Sequence, residues 1–211
     1  EGLDAEGLRR LAALPGVPPL VAALPSVFFD DERPGLERLV SAAAALGVPV
    51  EVNTWGGWFL ARLAGARMRG GPGLGILNAL AARELARLGF EEATVSVETD
   101  ASKLSALVSR ATLPCAVVVF GRPALVTTRI VLPQAVTRAE LEDDRGVRLR
   151  ARRVGTLEEL RPVEPFDNRG ARMPPEVAHL VADLVGSPDP IAEWSAGPEG
   201  APRFNLDRAL S

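Results

Sequence analysis

Apolar positions along this chain follow two rhythms, and they alternate. Short runs with period two are followed by longer runs with helical spacing, and glycine or proline separates them. The clearest stretch is Val48 to Phe90, VPVEVNTWGGWFLARLAGARMRGGPGLGILNALAARELARLGF, which reads as strand, helix, strand, glycine-rich turn and helix. That is the repeating unit of a parallel sheet. The rhythm extends on both sides. Glu1 to Leu14 has helical spacing, with Leu3, Leu8 and Leu11 on roughly one side, and Pro15 ends it. Leu20 to Leu24 has strand length, and Pro34 to Leu46 is a helix with Gly47 at its stop. Further strands are expected at Val48 to Asn53, Arg67 to Gly70, Ala93 to Glu98 and Cys115 to Phe120. The helices between them are Gly56 to Ala64, Ile76 to Leu88 and Ala101 to Arg110, the last capped by Asp100.

After Gly121 the rhythm changes. Leu125 to Leu132 reads as another strand, Asp143 to Gly146 as a hairpin turn, and Val147 to Val154 as a basic alternating strand. Leu160 to Val163 is expected to pair nearby. Pro175 to Val185 reads as a helix stopped by Gly186, and Ser187 to Ser211 as an irregular tail rich in Pro, Gly and Ala. The expected organisation is a βα-repeat domain over residues 1–133, then a β-hairpin and helix appendage with its tail over 134–211.

Successive strand side chains point to opposite faces. Val50 and Val52 therefore share one face, Glu51 and Asn53 the other; Arg67 and Arg69 share a face, as do Thr94, Ser96 and Glu98. Strands buried on both faces rarely carry such polar alternation. Three arrangements produce it: a solvated sheet face, a set of buried salt bridges, or the polar interior of a barrel. In a barrel, Asn53, Arg69, Glu98 and Arg122 would ring the mouth where such folds bind ligands.

Composition narrows the chemistry. The 211 residues are 47% hydrophobic and 24% charged, ordinary for a globular protein. A net charge of −3 gives no electrostatic reason to expect nucleic-acid binding by this chain alone. No apolar run is long enough to span a membrane and no signal peptide is evident, so a cytoplasmic protein is expected. The start at Glu1 rather than a methionine fits a domain cut from something longer.

Cys115 is the sole cysteine, which rules out an internal disulfide, a four-cysteine zinc site and an iron–sulfur cluster. It reads as a buried small hydrophobe. His179, the sole histidine, sits in an expected helix without a second ligand at metal spacing, so packing is favoured over a role as base. The turn Gly70 to Gly75 lacks the spacing of a dinucleotide fingerprint or a P-loop. It reads first as a turn needing positive φ and tight packing, and second as an anion cradle at a helix start. The run Arg148 to Arg153 reads as a charged strand face that discourages edge pairing.

Three segments together resemble peptidase family U32, the collagenase-like peptidases. Gly71 to Glu98 is similar to a family stretch with a Leu-Gly-x-x-Asn turn, matched by Leu74, Gly75 and Asn78. Val117 to Pro133 is similar to the hallmark His-Gly-Arg-x-Pro-Leu-x-x-Ser-Arg-x-Cys-Pro segment, matched at Gly121, Arg122, Leu125 and Arg129. Asp143 to Gly146 resembles the hairpin that follows it. Phe120 stands at the family's histidine, Ile130 and Val131 stand where a cluster cysteine is expected, and the family's N-terminal signature is absent.

The resemblance implies an α/β fold, a partial or divergent TIM-like (βα) barrel with a small β-rich C-terminal appendage. It implies a metal-assisted peptidase or, as in the iron–sulfur members, oxygen-independent hydroxylation of RNA bases and ubiquinone precursors. Since the lone cysteine excludes the cluster, the expectation is a non-cluster member binding a small or peptide-like ligand at the strand ends. The expected ligand-binding residues are Asn53, Arg69, Asn78, Arg122 and Arg129, and the expected partner is a paralogous subunit or a missing N-terminal barrel segment. Two alternatives stay open. One is a metal-assisted peptidase or hydrolase with Glu98 or Glu51 as general base, for which a divalent metal is compatible but no ligand set is assigned. The other is a non-catalytic interaction module.

Overall fold

The structure is a computed structural model that describes residues 3–144, 146–187 and 189–196, the side chains of Ala135 and Arg138 aside. The chain divides into two compact units. Of the described residues, one comprises those up to Val117 with Met173–Leu180, the other those of Val118–Arg172 and from Val181 onward. The expected boundary after Pro133 lies inside the second of these. The molecule is α/β, with a curled parallel sheet that forms a half-barrel.

The first unit opens with α1 (Ala5–Ala12), whose N-cap Asp4 accepts a hydrogen bond from the Gly7 amide. It is shorter than its spacing suggested, and only Leu8 of the three leucines is fully buried. Then come β1 (Ala22–Ala23), α2 (Arg33–Leu46), β2 (Val50–Val52), α3 (Trp55–Leu63), β3 (Met68–Gly70), α4 (Ala79–Arg87), β4 (Phe90–Val95) and α5 (Ala101–Val108). The start of β5 (Cys115–Gly121) completes the parallel order β1-β2-β3-β4-β5. Local chemistry explains the boundaries. Gly47 ends α2 at φ 68°, Thr54 caps α3, Asn78 caps α4 and Asp100 caps α5.

Val50, Val52, Met68, Ala93 and Val95 are buried along with Val40, Ala61, Leu85, Leu104 and Leu107 of the helices. α3 packs on β2, α4 on β4, and α2 on β1 and α1. Each such valine, leucine or methionine side chain contributes about 1.5–3 kcal/mol when fully buried. The valine face is therefore the helix-covered one, and the polar alternates belong to the opposite face.

The pairing of β3 with β4 is irregular: Met68 pairs with Phe90, but Arg69 pairs with Glu92. Glu91 is the extra residue of a β-bulge. A one-residue shift reverses which side chains face which side. The bulge thus turns Glu92 and Thr94 to the face of Arg69, while Ala93 and Val95 stay in the core. β4 also starts at Phe90 and ends at Val95, so Glu98 lies beyond the strand, exposed in a turn.

In the second unit the end of β5 pairs antiparallel with β10 (Phe166–Asp167), after β6 (Val126–Thr128), α6 (Gln134–Arg138), β7 (Glu140–Glu142), β8 (Arg148–Val154) and β9 (Leu157–Pro162). An antiparallel sheet of order β6-β9-β8-β7 forms there. Its register places four opposite-charge pairs across strands and one like-charge pair, Arg150 with Arg161. Glu140 faces Arg150, Glu142 faces Arg148, Arg152 faces Glu159 and Arg153 faces Glu158. The basic strand is thus partnered by acidic neighbours on both sides.

One element differs from expectation outright. The segment expected as a helix over Pro175 to Val185 is β11 (Val177–Asp183), paired with β5. A seven-residue segment with valines four apart, at Val177 and Val181, fits either period, and sheet pairing decides it. The tail carries a short helix, α7 (Pro190–Ser195); the rest of the expected irregular tail lies outside the described residues. No helix among the described residues is long and apolar enough to cross a membrane.

Candidate binding face

The polar face of the parallel sheet holds the candidate site. Glu51 on β2, Arg69 on β3 and Glu92 on β4 stand in one register row. Arg69 therefore lies between two carboxylate-bearing neighbours. Its Nη1 is 3.9 Å from Glu92 Oε2, a long contact at the limit of an ion pair. The Arg69 Nε is buried and has no hydrogen-bond partner among the described residues. Buried donors of this kind are uncommon, because an unmet N–H costs about 1–3 kcal/mol. His179 of β11 approaches from the other side of Glu92, with Nε2 3.4 Å from Oε2 and its ring largely exposed.

Asn53, just past β2, is the brace of this face. Its Nδ2 donates to the Leu24 carbonyl at 2.9 Å and to Glu51 Oε1 at 3.0 Å, and its Oδ1 accepts from the Gly73 amide at 3.0 Å. It is 9% exposed. The glycine-rich turn closes over it. A Cβ at Gly73 would lie 2.6 Å from the Asn53 carbonyl oxygen, and one at Gly71 would lie 2.8 Å from Glu51 Cγ. Gly75 takes φ 62°. Close approach and positive φ thus account for this turn as the sequence suggested. One of its amides is already taken by Asn53.

Cys115 is buried, and its thiol is pushed up first by burial and then by the Glu92 charge. A thiol held protonated is a poor nucleophile.

The expected site residues separate. Glu51, Asn53 and Arg69 share the polar face. Asn78 is a helix cap whose Oδ1 accepts from the Ala81 amide at 2.9 Å. Glu98 is exposed past the end of β4. Arg122 and Arg129 belong to the second unit. Arg129 is exposed beyond β6. Arg122 is engaged on both sides: Nε donates to the Val163 carbonyl at 3.0 Å, and Nη1 and Nη2 donate to Glu193 at 2.6 and 2.9 Å.

Two residues of the polar face were missed by sequence reasoning. Glu92 has the same parity as Thr94 and Ser96, a signal available had the strand been started earlier. His179 carried no such signal once its segment was read as helical. Among the described residues no group of three or more His, Cys, Asp or Glu side chains is arranged to hold a metal ion.

Chemically, the row offers one partly exposed guanidinium between two carboxylates. It suits a ligand carrying a negative group for Arg69 and a positive or N–H-bearing group for Glu51 and Glu92. Comparison with known protein families, curated proteins and solved structures finds no match.

Proposed function

We propose that this chain is a U32-type protein without the iron–sulfur cluster, a divergent part of a TIM-like barrel, that binds a small or peptide-like ligand on the polar face of its parallel sheet. Arg69 takes the ligand's carboxylate or carbonyl oxygen, while Glu51 and Glu92 take an ammonium or amide N–H. The observation that carries this reading is the Arg69 side chain, 36% exposed, standing between the two carboxylates with a single long contact of 3.9 Å. The order of the three U32-like segments and the half-barrel curl of the sheet support the family part of the proposal. A paralogous subunit supplying the rest of a barrel accords with it.

The test is a thermal-shift series with dipeptides, small carboxylates and divalent metal ions, on the chain and its Arg69→Gln variant. A dipeptide or carboxylate at 100 times its Kd stabilises by about 2.7 kcal/mol. The expected result is a raised Tm in the parent chain and none in the variant. No shift of the parent chain with any of these probes overturns the proposal.

A hydrolytic reading rests on a different observation: Glu51 is oriented by Asn53 Nδ2, as a general base requires. Peptide hydrolysis abolished by Glu51→Gln, with dipeptide binding retained, would favour it over simple binding.

A further inference from the structure

The six residues of α7 form too short a helix to stand on their own. None of them is buried, and Ile191 is 78% exposed. What holds the helix is a pair of adjacent residues. The Glu193 carboxylate receives both Nη groups of Arg122. The Trp194 ring lies edge-on to Phe120, with centroids 5.6 Å apart, and under the Arg169 guanidinium at 4.3 Å. The Trp194 carbonyl also accepts from Arg169.

The receiving side is built without α7. Arg122 is fixed from behind by the Val163 carbonyl, and its own carbonyl accepts from Arg161 at 2.5 Å. Arg169 is held by Asp167, which is 1% exposed. Phe120 is buried on β5. The ion pairs of this region are otherwise matched: Arg161 has Glu159 and Asp183, and Arg169 has Asp167. Arg122 has Glu193, and no other ion pair of Arg122 is formed among the described residues. With α7 in place the Arg122 side chain is only 12% exposed, and Glu193 is the carboxylate that meets it there.

We propose that Arg122, Arg169 and Phe120 form a receptor for a peptide segment in which a carboxylate residue is followed by an aromatic one, and that Glu193 and Trp194 occupy it in cis. Arg122 reads the carboxylate bidentately; Arg169 and Phe120 take the ring from face and edge. A tethered occupant competes at an effective concentration on the order of millimolar. A free peptide then meets an open receptor only in the fraction of molecules whose α7 has left, and its apparent affinity falls by that fraction. None of these residues belongs to the Arg69 face, so this inference and the proposed function stand or fall separately.

The experiment is fluorescence anisotropy of a labelled, blocked peptide with the sequence of Ile191 to Ser195, titrated with the full chain. Glu193→Gln and Trp194→Ala each weaken the cis occupant, and each is expected to bind the peptide at least about tenfold more tightly than the parent chain. Arg122→Gln added to Trp194→Ala is expected to abolish binding, as is replacing the peptide's glutamate by glutamine. Should Glu193→Gln fail to fold, Trp194→Ala carries the test, because it leaves the Arg122 charge paired. Absent or unchanged binding in a variant with an intact circular dichroism spectrum overturns the proposal and leaves α7 as a structural clasp.

Discussion

Arg69 in the first unit and a trio of arginines in the second do opposite things. In the second unit, Arg122, Arg161 and Arg169 each have a carboxylate partner at 2.5–2.7 Å, and all three side chains are less than a fifth exposed. In the first unit, Arg69 makes one contact at 3.9 Å and keeps a buried donor unmet. Arg161 and Arg169 close on Glu159 and Asp167, each two residues away in the chain, and Arg122 closes on Glu193 of α7. The row Glu51–Arg69–Glu92 runs across parallel strands, about 4.8 Å apart, and the bulge at Glu91 sets its spacing. A guanidinium held closely by carboxylates holds structure together; a partly exposed one with a single long contact is available to a ligand.

Asn53→Ala should have the largest effect on this contrast. It leaves the Leu24 carbonyl and the Gly73 amide without their partner and frees the glycine turn, so a loss of about 3 kcal/mol in urea unfolding is expected. Arg122→Ala comes next. It removes a nearly buried ion pair and a backbone contact, and about 2–3 kcal/mol should be lost, less than for a fully buried pair because Glu193 can rehydrate. Gly73→Ala forces a Cβ against the Asn53 backbone and should cost about 1–3 kcal/mol.

Arg69→Gln sharpens the comparison most. It should change stability by less than about 1 kcal/mol while removing any carboxylate-dependent thermal shift. A loss as large as that of Arg122→Ala would mean that Arg69 is structural after all.

The smallest effect concerns pH. The Asp100 carboxyl accepts first from the Lys103 amide and then from Ser102, and its pKa is lowered from 3.8 to about 2. A carboxyl with a lowered folded-state pKa stabilises the fold above its unfolded value and loses that contribution as pH falls through the folded one. Stability from the α5 cap should therefore be whole above pH 3.8 and decline towards pH 2, and Asp100→Asn should flatten that part of the profile. Carboxyl chemical shifts followed through acid titration would check the value directly.

Much of the fold was legible because it rests on local chemistry. Gly47 stops α2, and Asp100 caps α5 where a short polar side chain precedes a helical run. Period-two alternation assigned Glu51, Asn53 and Arg69 to one face before any pairing was known. Other features depend on residues far apart in the chain. The β4 bulge exists only against β3, and without it Glu92 would face the core. The segment Val177–Asp183 is a strand because β5 accepts it, although its apolar spacing also fits a helix. Asn53 reads as a ligand-facing amide until Leu24 and Gly73 are seen to take its hydrogen bonds. Arg122 meets Glu193 across 71 positions of sequence, a distance over which no periodicity carries information. By itself the sequence determined the alternation of strands and helices through the first unit, with their caps and stops, and the faces of β2 and β3, since these follow from neighbours a few bonds away. Which polar groups are satisfied and which remain open was decided only by the tertiary structure, because a hydrogen bond needs both of its partners in place.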